Sequence, residues 1–370
     1  MFPIGAFLIG VGTAAAIAAV LAVVMAVADA TIADYGRVKI SINGGTKELE
    51  VDGGRPLLST LTSEGIFIPS ACGGRGSCGL CKLAVKSGAG EYAPTELPWI
   101  TEADRKNNVR LSCQVKVKKD IQIVVPEELF SIKEYQTTVA SIRDLTYDIK
   151  EVTLKLKDSQ VLDFKAGRYV QFVVPAYELT PDPVYRAYSI SSSPSRKDAV
   201  ELEIRLVPNG ICTTYVFQHL KVGDAVSING PYGDFHLRES DRDIVFVAGG
   251  SGMAPIKSML ADMAERGVRR KATYFFGART TKDLFLVEEM RELEGKLPGF
   301  KFVPALSNPD PGDNWSGEKG LITEVLDRHF QRLDHHEAYL CGSPGMIDAS
   351  IKVFKSKGLP EELIFFDKFA

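Results

Sequence analysis

The chain has 370 residues, 45 % of them hydrophobic, and a formal net charge of −3. That length has room for two or three cored domains. The near-balanced charge, with no basic stripe interleaved with aromatics, argues against nucleic-acid binding.

Met1 to Ala28 carries no charged side chain. As a helix this run would span roughly 42 Å, more than the ~30 Å hydrocarbon core of a bilayer. The alternative is a cleaved signal peptide, and Ala28-Asp29-Ala30 has the form of a small-residue cleavage site. However, no Lys or Arg precedes the apolar run, whereas signal peptides carry a positive first segment. The expectation is a retained transmembrane anchor over residues 1–33. Arg37, Lys39 and Lys47 follow it, opposed by Asp29 and Asp34, a small positive-inside bias for what comes after. Ala14, Ala18, Ala22 and Ala26 recur every four residues, a small-residue face on which another helix would pack closely, or simply an alanine-rich anchor.

A β-rich segment follows, over residues 34–127. Val38, Ile40 and Ile42 alternate, Asn43-Gly44-Gly45 turns, and Leu49 and Val51 alternate again, which predicts a hairpin. A short helix is expected over Pro56 to Ser63, a capping box at Thr101-Glu-Ala-Asp104, and a strand over Lys116 to Val125. Between them lies Cys72-Gly-Gly-Arg-Gly-Ser-Cys78-Gly-Leu-Cys81, with Cys113 downstream, expected on a neighbouring strand in Arg110-Leu-Ser-Cys113-Gln. Four thiolates are what a [2Fe–2S] cluster takes, and a glycine-rich loop lets amide groups point at its sulfides. A zinc site would use two such pairs or add histidines, and none of the five histidines is near. Cys72, Cys78, Cys81 and Cys113 are therefore the predicted metal ligands, with a five-residue first gap instead of the four of the plant-type spacing. The hairpin, short helix and cysteine loop together resemble the β-grasp ferredoxin domain over residues 34–127.

Residues 128–238 read as short strands: Thr137–Ile142, Val152–Leu156, Tyr169–Val174, Tyr185–Ser191, Val200–Leu206 and Ala225–Asn229, a pattern that predicts a closed antiparallel barrel. Residues 239–370 alternate strands (Asp243–Ala248, Ala272–Phe276, Lys301–Leu306, Ala338–Cys341) with helices near Lys282–Leu293, Leu321–Phe330 and Met346–Ser356, which predicts an α/β domain on a parallel sheet.

Arg186-Ala-Tyr188-Ser189 places an arginine, an aromatic and a hydroxyl on one strand. The arginine suits a pyrophosphate, the aromatic a flavin ring and the serine the hydride-accepting nitrogen. Gly210-Ile-Cys212-Thr213-Thr214 opens a helical run whose amides and hydroxyls suit a phosphate, with an ordinary cap by Thr213 as the plain alternative. Gly249-Gly250-Ser251-Gly252 lies between a strand and a helix with Pro255 near its first turn, the context of a dinucleotide loop. Cys341-Gly342 ends a later strand, where open α/β sheets bind ligands; a buried small thiol is the alternative.

The barrel motifs resemble the ferredoxin–NADP reductase superfamily, in which they bind FAD. That resemblance implies that Cys341 lies beside the nicotinamide and that Phe369 near the C-terminus shields the flavin ring. Arg279, in Gly277-Ala-Arg, is either a contact to the nicotinamide nucleotide or a surface arginine. The whole chain is similar to one family in particular, the F subunits of the sodium-translocating NADH:quinone reductases. The similarity rests on the Cys72–Cys78 gap, Arg186-Ala-Tyr-Ser189, the Gly-Gly-x-Gly-Met-Ala-Pro loop at 249–255, and Ala305-Leu-Ser307 with Asp313-Asn-Trp-Ser-Gly317. Ser343 departs from it, since the family commonly has proline there. The family implies an NADH:quinone oxidoreductase, with Ser189 and Cys341 as catalytic residues. NADH would reduce FAD, and single electrons would pass to the cluster, then to integral-membrane partner subunits and quinone. The chain would be single-pass in the cell inner membrane with its soluble domains cytoplasmic, and sodium transport would reside in the partners. The rivals are a reductase component of an oxygenase, and a tethered iron–sulfur carrier or sensor with vestigial flavin and nucleotide sites.

Overall fold

The structure, a computed structural model, describes residues 4–32 and 35–369. The chain divides into two compact units, residues 1–68 with 74–131, and residues 69–73 with 132–370.

The first unit begins with α1, Ile4–Ile32. Its side chains are described from Gly10 to Met25, and there Val11, Ile17, Val20, Leu21, Val23, Val24 and Met25 are all exposed. Ala14, Ala18 and Ala22 fall in this stretch; the Ala26 side chain lies outside the described residues. Over the described residues no helix is long and apolar enough to cross a membrane.

A five-stranded mixed sheet follows, in the order β2-β1-β5-β3-β4. Its strands are β1 Arg37–Ile42, β2 Lys47–Asp52, β3 Lys82–Ser87, β4 Val109–Leu111 and β5 Ile121–Val124. Val38, Ile40 and Ile42 all point inward, as the period of two requires. Helix α2, Leu57–Ser63, closes that core with Leu57, Leu58 and Leu61. Helix α3, Glu102–Lys106, starts at a capping box in which Thr101 and Asp104 exchange bonds. The strand expected over Lys116 to Val125 is shorter. Lys116 makes only an isolated bridge to Pro56, and the Asp120 carboxylate accepts from the Lys39 amide at 2.8 Å just before β5 begins.

The second unit carries two sheets. The first is antiparallel, in the order β10-β7-β6-β11-β8-β9. Its strands are β6 Lys133–Asp144, β7 Ile149–Leu156, β8 Tyr169–Val174, β9 Val184–Ser189, β10 Ala199–Arg205 and β11 Ala225–Tyr232. The strand pattern predicts full closure. Instead the edge strands β9 and β10 are not paired, and the gap is spanned by the single bridge Ile190↔Leu202 just beyond the end of β9, a partly open barrel. Helix α4, Ile211–Gln218, buries Cys212 and Val216 in its core.

The last sheet is parallel throughout, in the order β15-β14-β13-β12-β16-β17. Its strands are β12 Asp243–Gly249, β13 Ala272–Ala278, β14 Phe300–Leu306, β15 Glu318–Lys319, β16 His336–Gly342 and β17 Ile364–Lys368. Both faces are covered, which is why its central strands read as unbroken apolar runs. Helices α5 Met253–Arg266 and α6 Val287–Lys296 supply residues to one core, and α7 Ile322–His329 and α8 Pro344–Ser356 to the other. Helix α6 starts later than the sequence pattern places it, because residues 281–283 form a separate tight turn capped by Thr280 and Leu286 is left-handed, φ +54°.

Candidate redox sites

Cys81, just before β3, and Cys113, just after β4, are brought together. Hydrogen bonding to Cys113 and then burial raise the pKa of the Cys81 thiol. The Ser112 amide donates to the Cys81 carbonyl at 2.8 Å, which ties the two segments, and Gln114 Nε2 donates to Cys113 Sγ at 3.3 Å. Gly74 holds φ +88°, and a Cβ there would touch the Cys113 Cβ at 3.9 Å. Gly79, φ +68°, lies so close to Trp99 that a Cβ would meet the indole at 2.6 Å. Such left-handed turns favour glycine and let a loop wrap tightly. Cys72 is buried and Cys78 half-buried. Among the described residues no three potential metal ligands are gathered at one point. The soft thiolate donors and the tight glycine loop fit an iron–sulfur cluster, and hard oxygen-seeking cations are a poor match.

In the barrel, Arg186 Nη1 donates to the Tyr185 carbonyl at 2.7 Å. Tyr188 stands edge-on to Phe172, with ring centroids 6.2 Å apart. Its hydroxyl meets the Cys212 thiol, and burial followed by that contact pushes the phenol pKa up. Cys212, to which the sequence pattern assigns no role, thus helps fix the Tyr188 ring; burial pushes its thiol up to about 11. Ser189 ends β9 and is buried. Gly210 caps α4 with backbone alone, so Thr213 lies inside the helix and is not its cap. The Thr213 hydroxyl accepts from the Val207 amide at 3.1 Å and donates to the Val207 carbonyl at 3.2 Å. Thr214 donates its amide to the Gly210 carbonyl at 2.8 Å.

In the parallel sheet, β12 runs into a tight turn, Gly250–Gly252, and directly into α5. A Cβ on Gly252 would collide with the carbonyl of Cys341, so this loop lies against the end of β16. Cys341 is fully buried, and burial, then Asp367 and Glu203, raise its pKa. Ser343, the departure from the family pattern, accepts from the Met346 amide at 3.4 Å and caps α8. The Phe369 amide donates to the Gly342 carbonyl at 2.9 Å, which holds the C-terminal aromatic beside the same strand end. Gly249, Gly252, Cys341 and Phe369 therefore converge, where parallel sheets bind ligands. Arg279 follows β13, and its carbonyl accepts from the Asn308 amide at 2.8 Å.

Three families match the chain in sequence: the 2Fe-2S iron-sulfur cluster binding domain over residues 40–118, the oxidoreductase FAD-binding domain over 136–237, and the oxidoreductase NAD-binding domain over 246–352. The F subunit of the Na(+)-translocating NADH-quinone reductase of Neisseria meningitidis serogroup C is 37 % identical over 404 residues, covering 98 % of this chain and 99 % of the relative. The chain belongs to the family of F subunits of the Na(+)-translocating NADH-quinone reductases. The F subunit of Klebsiella pneumoniae is equally similar, 37 % identical with 98 % and 99 % coverage. Among solved structures, the cytochrome P450 reductase GcoB of Amycolatopsis superposes with a TM-score of 0.72 at 28 % identity, over 90 % of this chain and 98 % of that one. The ferredoxin reductase in carbazole 1,9a-dioxygenase gives 0.70 at 26 %, over 90 % and 99 %. The cofactors of this family member are thus a [2Fe–2S] cluster, FAD and a nicotinamide dinucleotide.

Proposed function

We propose that the chain is the electron-input subunit of a membrane NADH:quinone reductase coupled to sodium transport. The observation that carries this reading is the similarity to the F subunits along nearly the whole chain, with three redox domains in one polypeptide. Bound FAD would supply a two-electron hydride acceptor able to hand its electrons on singly, as a one-electron cluster requires. The protein's part is to bind and orient. Arg186 pairs with the flavin pyrophosphate, together with Gly210, Thr213 and Thr214 at the start of α4. Tyr188, its ring set by Phe172 and Cys212, flanks the flavin ring, and Ser189 offers a hydroxyl to the hydride-accepting nitrogen. Gly249, Gly250 and Gly252, with the start of α5, take the NADH pyrophosphate. Cys341 shapes the nicotinamide pocket, and Phe369 covers the flavin. Cys72, Cys78, Cys81 and Cys113 hold the cluster.

The proposed domains are the anchor 1–33, the ferredoxin domain 34–127, the FAD barrel 128–238 and the NADH domain 239–370. The exposed apolar side chains between Val11 and Met25 support a single-pass anchor in the cell inner membrane, with the soluble domains cytoplasmic and integral-membrane subunits as partners. The second reading is a membrane-anchored reductase of an oxygenase, favoured by the superposition on the two reductases above. Pull-down of the tagged full-length chain in mild detergent separates them. Co-purifying multi-span subunits and sodium-stimulated NADH:quinone turnover support the pump. A soluble oxygenase partner and indifference to sodium would move the function to the second reading.

A further inference from the structure

Strand β10 alternates Val200, Leu202 and Ile204, all fully buried in the barrel core, with Glu201, Glu203 and Arg205 on the other face. That outer face is not a solvent face at Glu203, which is only 3 % exposed. Among the described residues, neither of its carboxyl oxygens has a hydrogen-bond partner. A buried polar group left unpaired is costly and calls for an explanation.

Its neighbours say what it faces. Ile190 and Leu202 form an antiparallel bridge, and the Ser191 amide donates to the Glu201 carbonyl at 2.8 Å. The register therefore sets Ser189 opposite Glu203, on the same face. On its other side Glu203 is paired with Glu151 of β7. Towards the parallel sheet, Glu203, when ionised, raises the pKa of Tyr274 of β13 and of Cys341 of β16, so both lie within its electrostatic reach. The carboxyl thus lies opposite the residue proposed for the flavin nitrogen and within electrostatic reach of the one proposed for the nicotinamide.

We propose that Glu203 is a positioning residue that hydrogen-bonds the carboxamide of the NADH nicotinamide ring. This rests on the NADH-oxidising reading given above. A protonated carboxyl presents one donor and one acceptor side by side. A primary carboxamide presents the complementary pair, and the two close a double hydrogen bond that fixes the ring's rotation and which face it offers.

Burial, helped by the neighbouring carboxylates, keeps the carboxyl protonated at neutral pH. Burial pushes Glu203 up to about 8 against the pull of Lys257 on α5, and Glu151, Glu289 on α6 and Glu201 add to the rise. The Lys257 ammonium is spent elsewhere, at 3.0 Å from Glu151 and 3.2 Å from Glu201. Arg143 of β6 is likewise taken by Glu151 and Glu289, and Arg205 by Asp148.

The test is the dissociation constant of NAD⁺ and of ADP-ribose, read from the flavin absorbance of the full-length holoprotein between pH 6 and pH 9.5. Wild type, Glu203→Gln and Glu203→Leu are compared. In wild type, NAD⁺ affinity falls roughly tenfold as the carboxyl ionises, while ADP-ribose, which has no carboxamide, does not respond. Glu203→Gln keeps the donor and the acceptor, so it holds NAD⁺ affinity and flattens the pH profile. Glu203→Leu weakens NAD⁺ roughly tenfold at neutral pH and leaves ADP-ribose unchanged. Equal NAD⁺ affinity in wild type and Glu203→Leu, or an unaltered pH profile in Glu203→Gln, would overturn the inference alone. A wild-type protein that binds neither ligand and whose flavin ignores NADH would overturn the proposed function and the inference with it.

Discussion

Gly252 and Cys341 are in backbone contact: a side chain on residue 252 has no room beside the Cys341 carbonyl. The two come from different crossovers of the parallel sheet, the turn after β12 and the end of β16. Their contact brings the amides at the start of α5 and the proposed nicotinamide-side thiol to one strand-end crevice. Gly252→Ala forces that contact apart. The expected outcome is a KM for NADH raised at least roughly tenfold, a loss of about 1.4 kcal/mol in binding, with the cluster spectrum untouched. Steady-state kinetics and electron paramagnetic resonance on the same sample check both halves.

Ser189→Ala removes the hydroxyl assigned to the flavin nitrogen. Flavin reduction by NADH, followed by stopped flow, should slow by roughly 10²-fold, the usual loss for one well-placed hydrogen-bond donor. The cluster signal should persist. An unchanged rate would take Ser189 out of the site.

Cys78→Ala and Cys113→Ala should each abolish the cluster's resonance signal while NADH oxidation by a flavin-level acceptor such as ferricyanide continues. A normal cluster spectrum in either variant would refute that ligand.

Much of this site is legible as motif, and less of it as fold. The hairpin β1–β2, the strand β8 and the turn into α5 follow directly from alternation and glycine placement. Strand β4 is readable only through the cysteine just after it, because Arg110 interrupts its apolar pattern. That arginine is buried, and its guanidinium is taken by Glu96 at 2.6 Å and by the carbonyls of Gly90 and Glu91 at 2.9 and 2.7 Å. Glu203 is hidden for the converse reason. On β10 it alternates like a solvated residue, and only the packing of α5 and the parallel sheet against that face buries it. Ser343 reads as a departure from a family pattern, and its capping bond shows only in three dimensions.

The Arg110–Glu96 pair gives a stability prediction. Burial opposes the Glu96 charge, but Arg110 and the amides of Ala93 and Leu111 outweigh it and hold the carboxyl below its ordinary 4.5. The stability it adds is present above that value and is lost as pH falls through the lower folded value. Glu96→Ala leaves Arg110 buried and unpaired, at a cost of roughly 3–5 kcal/mol. Thermal melts should show the cluster domain of the variant unfolding well below wild type at pH 7, and the gap narrowing towards pH 3.

Glu203 has the opposite sign. Its folded value, about 8, lies above the ordinary 4.5, so the folded state holds a proton that the unfolded chain releases. Its contribution is fully favourable below 4.5 and declines by about 1.4 kcal/mol per pH unit until it levels off above 8. Glu203→Gln should therefore melt higher than wild type at pH 8 and show little gain at pH 4.5. Calorimetry across that range reads the difference directly.

The proposed route has electrons entering at the flavin from NADH and leaving through the cluster. An anaerobic titration of the full-length holoprotein with NADH, followed by absorbance and by electron paramagnetic resonance on frozen aliquots, tests that route as a whole. The expected result is bleaching of the flavin together with appearance of the reduced-cluster signal, and in Cys113→Ala the bleaching alone. A flavin that bleaches while an intact cluster stays oxidised, or a protein that ignores NADH altogether, would contradict it.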